Sequence, residues 1–251
     1  MNRSFLIKTS TGTIAGFTIF FFAVTCAMAL CINVNCAAPN AKKYIDAAGK
    51  SPSARLSSMA SRQPAGPAAS AFAFTGQASK EKTSFNFGVL LSDMEIIAAR
   101  NNQSDMRFAM DYFVKVLTGF PAPPPLLSAA RNLKDTMDKA GDPVAEFVNG
   151  FPSLSGNIEA FVLKSMDADY VALGAWAELA RVFLAIDNVA ESFVRENDAA
   201  SLLNDLAKAN LPPSILKQLK TLESLEGKEQ ISRRDISAAQ KAVDTIFTFM
   251  T

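Results

Sequence analysis

The chain has no histidine. That absence excludes Ser-His-Asp and Cys-His nucleophile systems, His-ligated zinc and haem, and the facial triad of non-haem iron. Cysteine is nearly as scarce. The three in 251 residues, Cys26, Cys31 and Cys36, lie in or just after an N-terminal apolar run. The remainder therefore has no thiolate metal site, redox pair or disulfide. No glycine-rich loop has a dinucleotide or P-loop spacing. No stretch alternates with period two over a strand length, so nothing signals a sheet. Dense Lys/Arg blocks are missing as well. The net charge of +1 hides an asymmetry, with 9 basic and 2 acidic residues over 1–84 against 16 and 22 over 85–251. The longer part is mildly acidic, which argues against nucleic acid as a partner.

What is present begins with a short basic stretch (Arg3, Lys8) and an uncharged apolar run from Ile14 to Val34. This order is that of a secretory signal, and Ala27 and Ala29 supply the small residues that signal peptidase requires for cleavage after Ala29. An uncleaved anchor is the alternative, since about 20 apolar residues span a bilayer. Lipidation of a cysteine is a third fate, although no cysteine follows a Leu-small-small pattern. Lys42, Lys43 and Lys50 nearly balance the basic residues before the run, so charge does not orient a retained anchor. Residues 1–36 are read as the signal or anchor.

Residues 37–84 are rich in Ala, Ser, Pro, Gly and Lys, with too few large apolar side chains to offset ordering entropy. They are read as a flexible linker. The hydrophobic share of 49% and charged share of 20% are those of a globular chain, so 85–251 is expected to fold as one all-α domain of about seven to nine helices. The organising stretch is Asp169 to Arg195. Read as one helix, it is apolar around most of its circumference, with a narrow polar stripe through Glu178, Arg181, Asn188, Ser192 and Arg195. Such a helix is covered on several sides. A second apolar helix runs from Phe85 to Asn102.

Punctuation places the rest. Ser104-Asp105 is read as the start of a helix that stops at Gly119. The proline run from Pro121 ends in Pro125, which can open the next helix, ending at Gly141. Asp142-Pro143 is an N-cap with proline behind it, and Gly150 ends that helix. Ser155 is read as the next cap. Leu202, Leu203 and Leu206 mark a helix before Asn210, Pro212-Pro213-Ser214 opens another that Gly227 ends, and Ser232 with Asp235 resembles a capping box for the last. Asp167 and Asp169 are read as cap and dipole partners of the central helix.

The two apolar helices look alike. Each has an aromatic or leucine before a glycine (Gly88, Gly174), an acid four or five residues on (Asp93, Glu178), and a polar end at the same offset. A mid-helix glycine costs about 1 kcal/mol against alanine. Two at matching places point to helices crossing closely at the bundle centre, as a pseudo-duplication. Phe85, Gly88 and Asp93 form FxxGxxxxD, and Leu173, Gly174, Trp176 and Glu178 form LGxWxE. Over residues 84–195 this pattern resembles uncharacterised exported all-helical proteins of bacteria, some of them lipoproteins. The resemblance implies a helical fold and an envelope location and no activity; the poor lipidation sequence departs from the lipidated members.

If the two helices are neighbours, Asp93 and Glu178 can meet inside the bundle. Carboxylate-bridged metal sites are built that way but also use Glu-x-x-His pairs, so the bland reading is a hydrogen-bonded carboxylate or an ion pair with Arg100 or Arg181. Clusters such as Glu223, Glu226 and Glu229 read as solvated faces, and Arg233-Arg234 is too small for phosphate recognition. The residues singled out, Gly88, Asp93, Gly174, Trp176, Glu178 and Arg181, are structural bets. No catalytic, cofactor or metal residue is expected. The expectation is a non-enzymatic binding or scaffolding module, exported or membrane-tethered, with a protein partner in the cell envelope. The alternative is a carrier of a small apolar ligand or lipid between helices, since Phe and Met are plentiful.

Overall fold

The structure, a computed structural model, describes residues 79–120, 122–195, 199–206 and 211–250. The signal or anchor expected at 1–36, and the linker up to residue 78, lie outside the described residues. Within them every regular element is helical. The helices are α1 (Lys80–Ala99), α2 (Gln103–Gly119), α3 (Pro124–Lys139), α4 (Pro143–Gly150), α5 (Ser155–Ser165), α6 (Ala168–Leu184), α7 (Asp187–Arg195), α8 (Ala199–Asp205), α9 (Pro213–Glu223) and α10 (Arg233–Met250). A 3-10 turn, Phe151–Leu154, joins α4 to α5.

The all-α bundle expected from periodicity is the observed fold. Its central segment, expected as one helix from Asp169 to Arg195, is divided in two. The α6 ladder tightens at Ala185 and Ile186, whose amides donate to Val182 and Phe183 three residues back. A new helix then starts at Asp187. Asp and Asn favour helix starts over helix interiors, and the pair Asp187-Asn188 stands at this break. Phe183 and Phe193 still meet across it, ring centroids 5.9 Å apart.

Several boundaries also shift. The first helix starts at Lys80, inside the stretch read as linker, because Ser79 accepts the Lys82 amide at 3.4 Å as an N-cap. It ends at Ala99 rather than Asn102. Asn102, not Ser104, caps α2, accepting the Asp105 amide at 3.1 Å. Proline at the first helical position is Pro124 rather than Pro125. Ser155 caps nothing, since a 3-10 turn already feeds the helix there, and its hydroxyl donates to Pro152 O at 2.8 Å. The Asp142-Pro143 start, the Asp167 cap and the Ser232–Asp235 capping box are as expected. Asp142 accepts two amides, at 3.1 and 3.0 Å. Asp167 does the same at 3.1 and 3.4 Å. Ser232 and Asp235 exchange bonds of 2.9 and 3.2 Å.

The buried side chains fall into three clusters. One joins Phe87, Met94, Phe113, Leu126, Phe147 and Phe161 from α1 to α5. A second joins Leu173, Trp176, Leu202, Leu219, Val243 and Ile246 from α6 to α10. The third is small and draws on the last turns of α1 and α6 and the turn that follows α6: Ile96, Leu179, Val182, Phe183 and Ile186. The two longest apolar helices thus form the wall shared by two cores, which is why neither has a polar face.

Candidate functional site: the seam between two crossing helices

Helices α1 and α6 run parallel and touch along four-residue rows. Ser84 meets Asp167, and two turns on Ser92 meets Ala175, at the same sequence separation of 83. Ser84 Oγ accepts the Asp167 amide at 2.8 Å while donating to Lys80 O at 2.8 Å. Ser92 Oγ donates to Ala175 O at 3.0 Å. Gly88 lies between these serines. A Cβ there would collide with Val171 O and sit 2.8 Å from Ala175 N. A Cβ on Gly174 would collide with Phe85 O and sit 2.8 Å from its carbonyl carbon. Each glycine therefore turns a Cα–H toward the carbonyl of the residue three before the other glycine. Small residues four apart permit such backbone approach, and Cα–H···O contacts recur at such interfaces. The close crossing inferred from the two glycines is present.

This seam also holds the polar groups that the rest of the core lacks. Among the described residues, the fully buried polar side chains are Thr83, Ser84, Ser92, Asp93 and Glu178, all on α1 or α6. Glu178 was expected on a polar stripe, yet it has no exposure. It binds Arg181 through two bonds, Nε to Oε2 at 3.1 Å and Nη2 to Oε1 at 2.7 Å. The Arg181 side chain keeps 23% exposure, so this pair links a buried charge to a partly exposed one. Asp93 is equally buried, with Oδ1 outside any hydrogen bond. The single Trp, Trp176, is 6% exposed and belongs to the second core.

The sequence reading passed over Glu95. Its Oε2 is buried without a hydrogen-bond partner, and burial pushes its carboxyl up to about 8. It stands seven residues after Gly88 on the face turned to α6, which is the signal that could have found it: an acid in register with a packing glycine. Ser84 and Ser92 were missed as well, though Ser84-Gly88-Ser92 is a row of small residues at a four-residue step.

Chemically, the seam offers little to a substrate. Glu178 is held by its arginine, and Glu95 is a carboxylic acid at neutral pH. Neither lines a described depression. One depression of about 210 Å³ lies between the end of α6 and α10, lined by Arg181, Leu184, Ala185, Gln240, Val243 and Asp244. Another of about 570 Å³ lies along α9 and is lined by Pro213, Leu216, Lys217 and Lys220 among others. Both open to solvent. Among the described residues, no three acids, cysteines or histidines are grouped to hold a metal ion, and no helix is long and apolar enough to cross a membrane. Comparison of the chain with family models, curated proteins and solved structures found no match.

Proposed function

We propose that this domain is a non-enzymatic binding or scaffolding module of the bacterial cell envelope, exported or held at the membrane by its N-terminal segment. The observation that carries the reading is how the ionisable side chains are used. Asp142 and Asp167 cap helices, and Asp235 closes the capping box by accepting the Ser232 amide. Glu178 neutralises Arg181. Glu95 has one carboxylate oxygen shut away from water. None of these five acids lines either of the two described depressions, so none is seen beside a cavity with a nucleophile or a second base, the arrangement that acid–base chemistry requires. The location rests on the N-terminal signal-like run and on the FxxGxxxxD and LGxWxE motifs.

The test is to express the full chain in its own host, separate membrane from soluble fractions, and measure intact mass together with co-purifying molecules. The expected result is either a soluble exported form starting at Leu30 or a membrane-bound form, with a protein partner after cross-linking. A full-length form confined to the cytosol would overturn the location. A lipid or other apolar molecule extracted in equal amount would replace the module reading with that of a carrier. A turnover abolished by Glu95→Gln or Glu178→Gln in otherwise folded protein would make it an enzyme.

A further inference from the structure

We infer that the domain is two copies of one helical unit, docked about a two-fold axis through the Gly88–Gly174 crossing, and that the face carrying those glycines is an interaction surface whose fitting partner is a second copy of the same unit. The first copy is α1 to α5 and the second is α6 to α10. The correspondence goes well beyond the likeness of the two central helices.

Packing order is the first observation. In the first copy α1 packs on α2, α2 on α3, α3 on α4, and α4 returns to α1 and α2. In the second, α6 packs on α7, α8 on α9, α9 on α10, and α10 returns to α6 and α7. Local geometry agrees. The crossing helices end in caps of the same geometry one residue out of register, Arg100 at φ −80°, ψ −6° and Ala185 at φ −87°, ψ −4°. Helices α3 and α9 start from matching proline caps, Pro123 at φ −52°, ψ 135° and Pro212 at φ −55°, ψ 141°.

Burial repeats over four stretches. At an offset of 86, residues 84–97 and 170–183 agree at every position, down to the half-buried Asn86 and Ala172 and the half-buried Glu95 and Arg181. At an offset of 89, residues 126–131 agree with 215–220 throughout. At an offset of 92, residues 145–149 agree with 237–241 and residues 154–158 with 246–250. The last pair shows that α4, the 3-10 turn and the start of α5 together correspond to the unbroken α10. Pro152 accounts for the difference, because its ring cannot continue an α ladder.

The cluster membership of the mates is that of a two-fold, except that Ile97 lies in the first core and its mate Phe183 in the small third cluster. Phe87 and Met94 belong to the first core, and their mates Leu173 and Ala180 to the second. Phe85 is exchanged into the second core, and its mate Val171 is exchanged into the first. Ile96 and Val182, also mates, share the small third cluster. Own core, exchanged core and shared cluster are the three relations that a two-fold axis between parallel helices produces. A crossing in which each glycine faces the carbonyl three residues before the other is self-complementary in the same sense.

Where the copies differ is also informative. Buried mates on α3 and α9 stay apolar, as with Leu126 and Ile215 or Ala130 and Leu219, while exposed mates change chemistry, as with Ser128 and Lys217 or Asp135 and Ser224. At the seam, Glu178 corresponds to Ser92 and Asp93 to Leu179. These charges are absent from the mate positions, so the common fold does not require them. They distinguish one copy from the other at the face where the copies meet.

Paired spin labels in the full chain, with the three native cysteines replaced by serine, test both halves of the inference. The label sites are the exposed mates Arg131 and Lys220, and the exposed mates Asn149 and Lys241. A repeated unit requires the distance 131–149 to equal 220–241. A two-fold requires the cross distance 131–241 to equal 149–220. Both equalities are expected from dipolar spectroscopy of the four double-cysteine proteins. Unequal distances within the copies would overturn the repeat. Equal distances within them but unequal cross distances would overturn the two-fold docking. Neither result bears on whether the domain binds, carries or catalyses.

Discussion

Alanine at Gly88 is the sharpest perturbation this structure allows. In an isolated helix Gly88→Ala would stabilise by about 1 kcal/mol through backbone entropy. Here the added methyl falls on Val171 O and against Ala175 N, backbone atoms of a helix that cannot turn aside as a side-chain tip would. The helices must part. A gap of 0.5–1 Å removes a quarter to a half of the dispersion energy of facing atoms, each contact being about 0.1–0.2 kcal/mol. Over the few dozen contacts of a three-turn seam this is about 2 kcal/mol. The bonds from Ser92 to Ala175 and from the Asp167 amide to Ser84 flank the glycine and stretch with it; each is worth about 1 kcal/mol. The net loss is about 2–4 kcal/mol, or a melting temperature lower by roughly 5–15 °C for a domain of this size. Gly156→Ala is the control, because nothing lies within 4 Å of its added methyl and it sits in the first turn of a helix; it should stabilise by about 0.5–1 kcal/mol. Urea unfolding followed by circular dichroism and by the buried Trp176 measures all three proteins. If Gly88→Ala matched or exceeded the parent while Gly156→Ala behaved as stated, the close crossing would be wrong.

Other consequences follow from the buried and capping charges. Glu95 keeps its proton up to about pH 8 when folded but releases it near 4.5 when unfolded. Its contribution to stability is therefore full below pH 4.5 and lost progressively as pH rises to 8, by at most about 5 kcal/mol. Glu95→Gln should flatten that part of the stability–pH curve, and an unchanged slope between pH 5 and 8 would contradict the burial of this acid. Glu178→Ala leaves the Arg181 guanidinium without its carboxylate and opens a void, for a loss of about 3–5 kcal/mol. Adding Arg181→Leu to it should recover part of that loss in a double-mutant cycle. Ser232 and then Lys228 hold the Asp235 carboxyl well below the usual carboxylate range. Its stabilisation is present above that range and disappears as pH falls through it, so Ser232→Ala should lower the melting temperature more at neutral than at strongly acidic pH.

The helical class, most helix positions and the close crossing were legible in the residues, because periodicity, prolines, capping aspartates and two misplaced glycines each have a local physical cause. Asp142-Pro143 and Ser232 with Asp235 mark helix starts by chemistry acting within three residues. The break at Ala185 was not legible, since apolar periodicity runs straight through it and only the Asp187-Asn188 pair hinted at a restart. Glu178 shows the limit more clearly. Its spacing from Arg181 was plain, but a stripe looks solvated or buried only once the neighbouring helices are placed. The same holds for Glu95, whose sequence surroundings do not show that one carboxylate oxygen is shut away from water.

The repeat lies between these cases. Gly88 and Gly174 announced themselves, but the acids that seemed to extend the match, Asp93 and Glu178, occupy unlike positions in the two copies. The true correspondences, such as Ile96 with Val182 or Leu126 with Ile215, are ordinary apolar residues that any helix could carry. By itself the sequence determined what is local: where the chain coils, where coils stop, and which two helices lack side chains at one point. Tertiary structure decided which surfaces meet, that Phe85 and Val171 cross into each other's cores, and which charges lie in the dark. Those outcomes depend on residues more than 80 positions apart coming within atomic contact, and no nearest-neighbour chemistry encodes that directly.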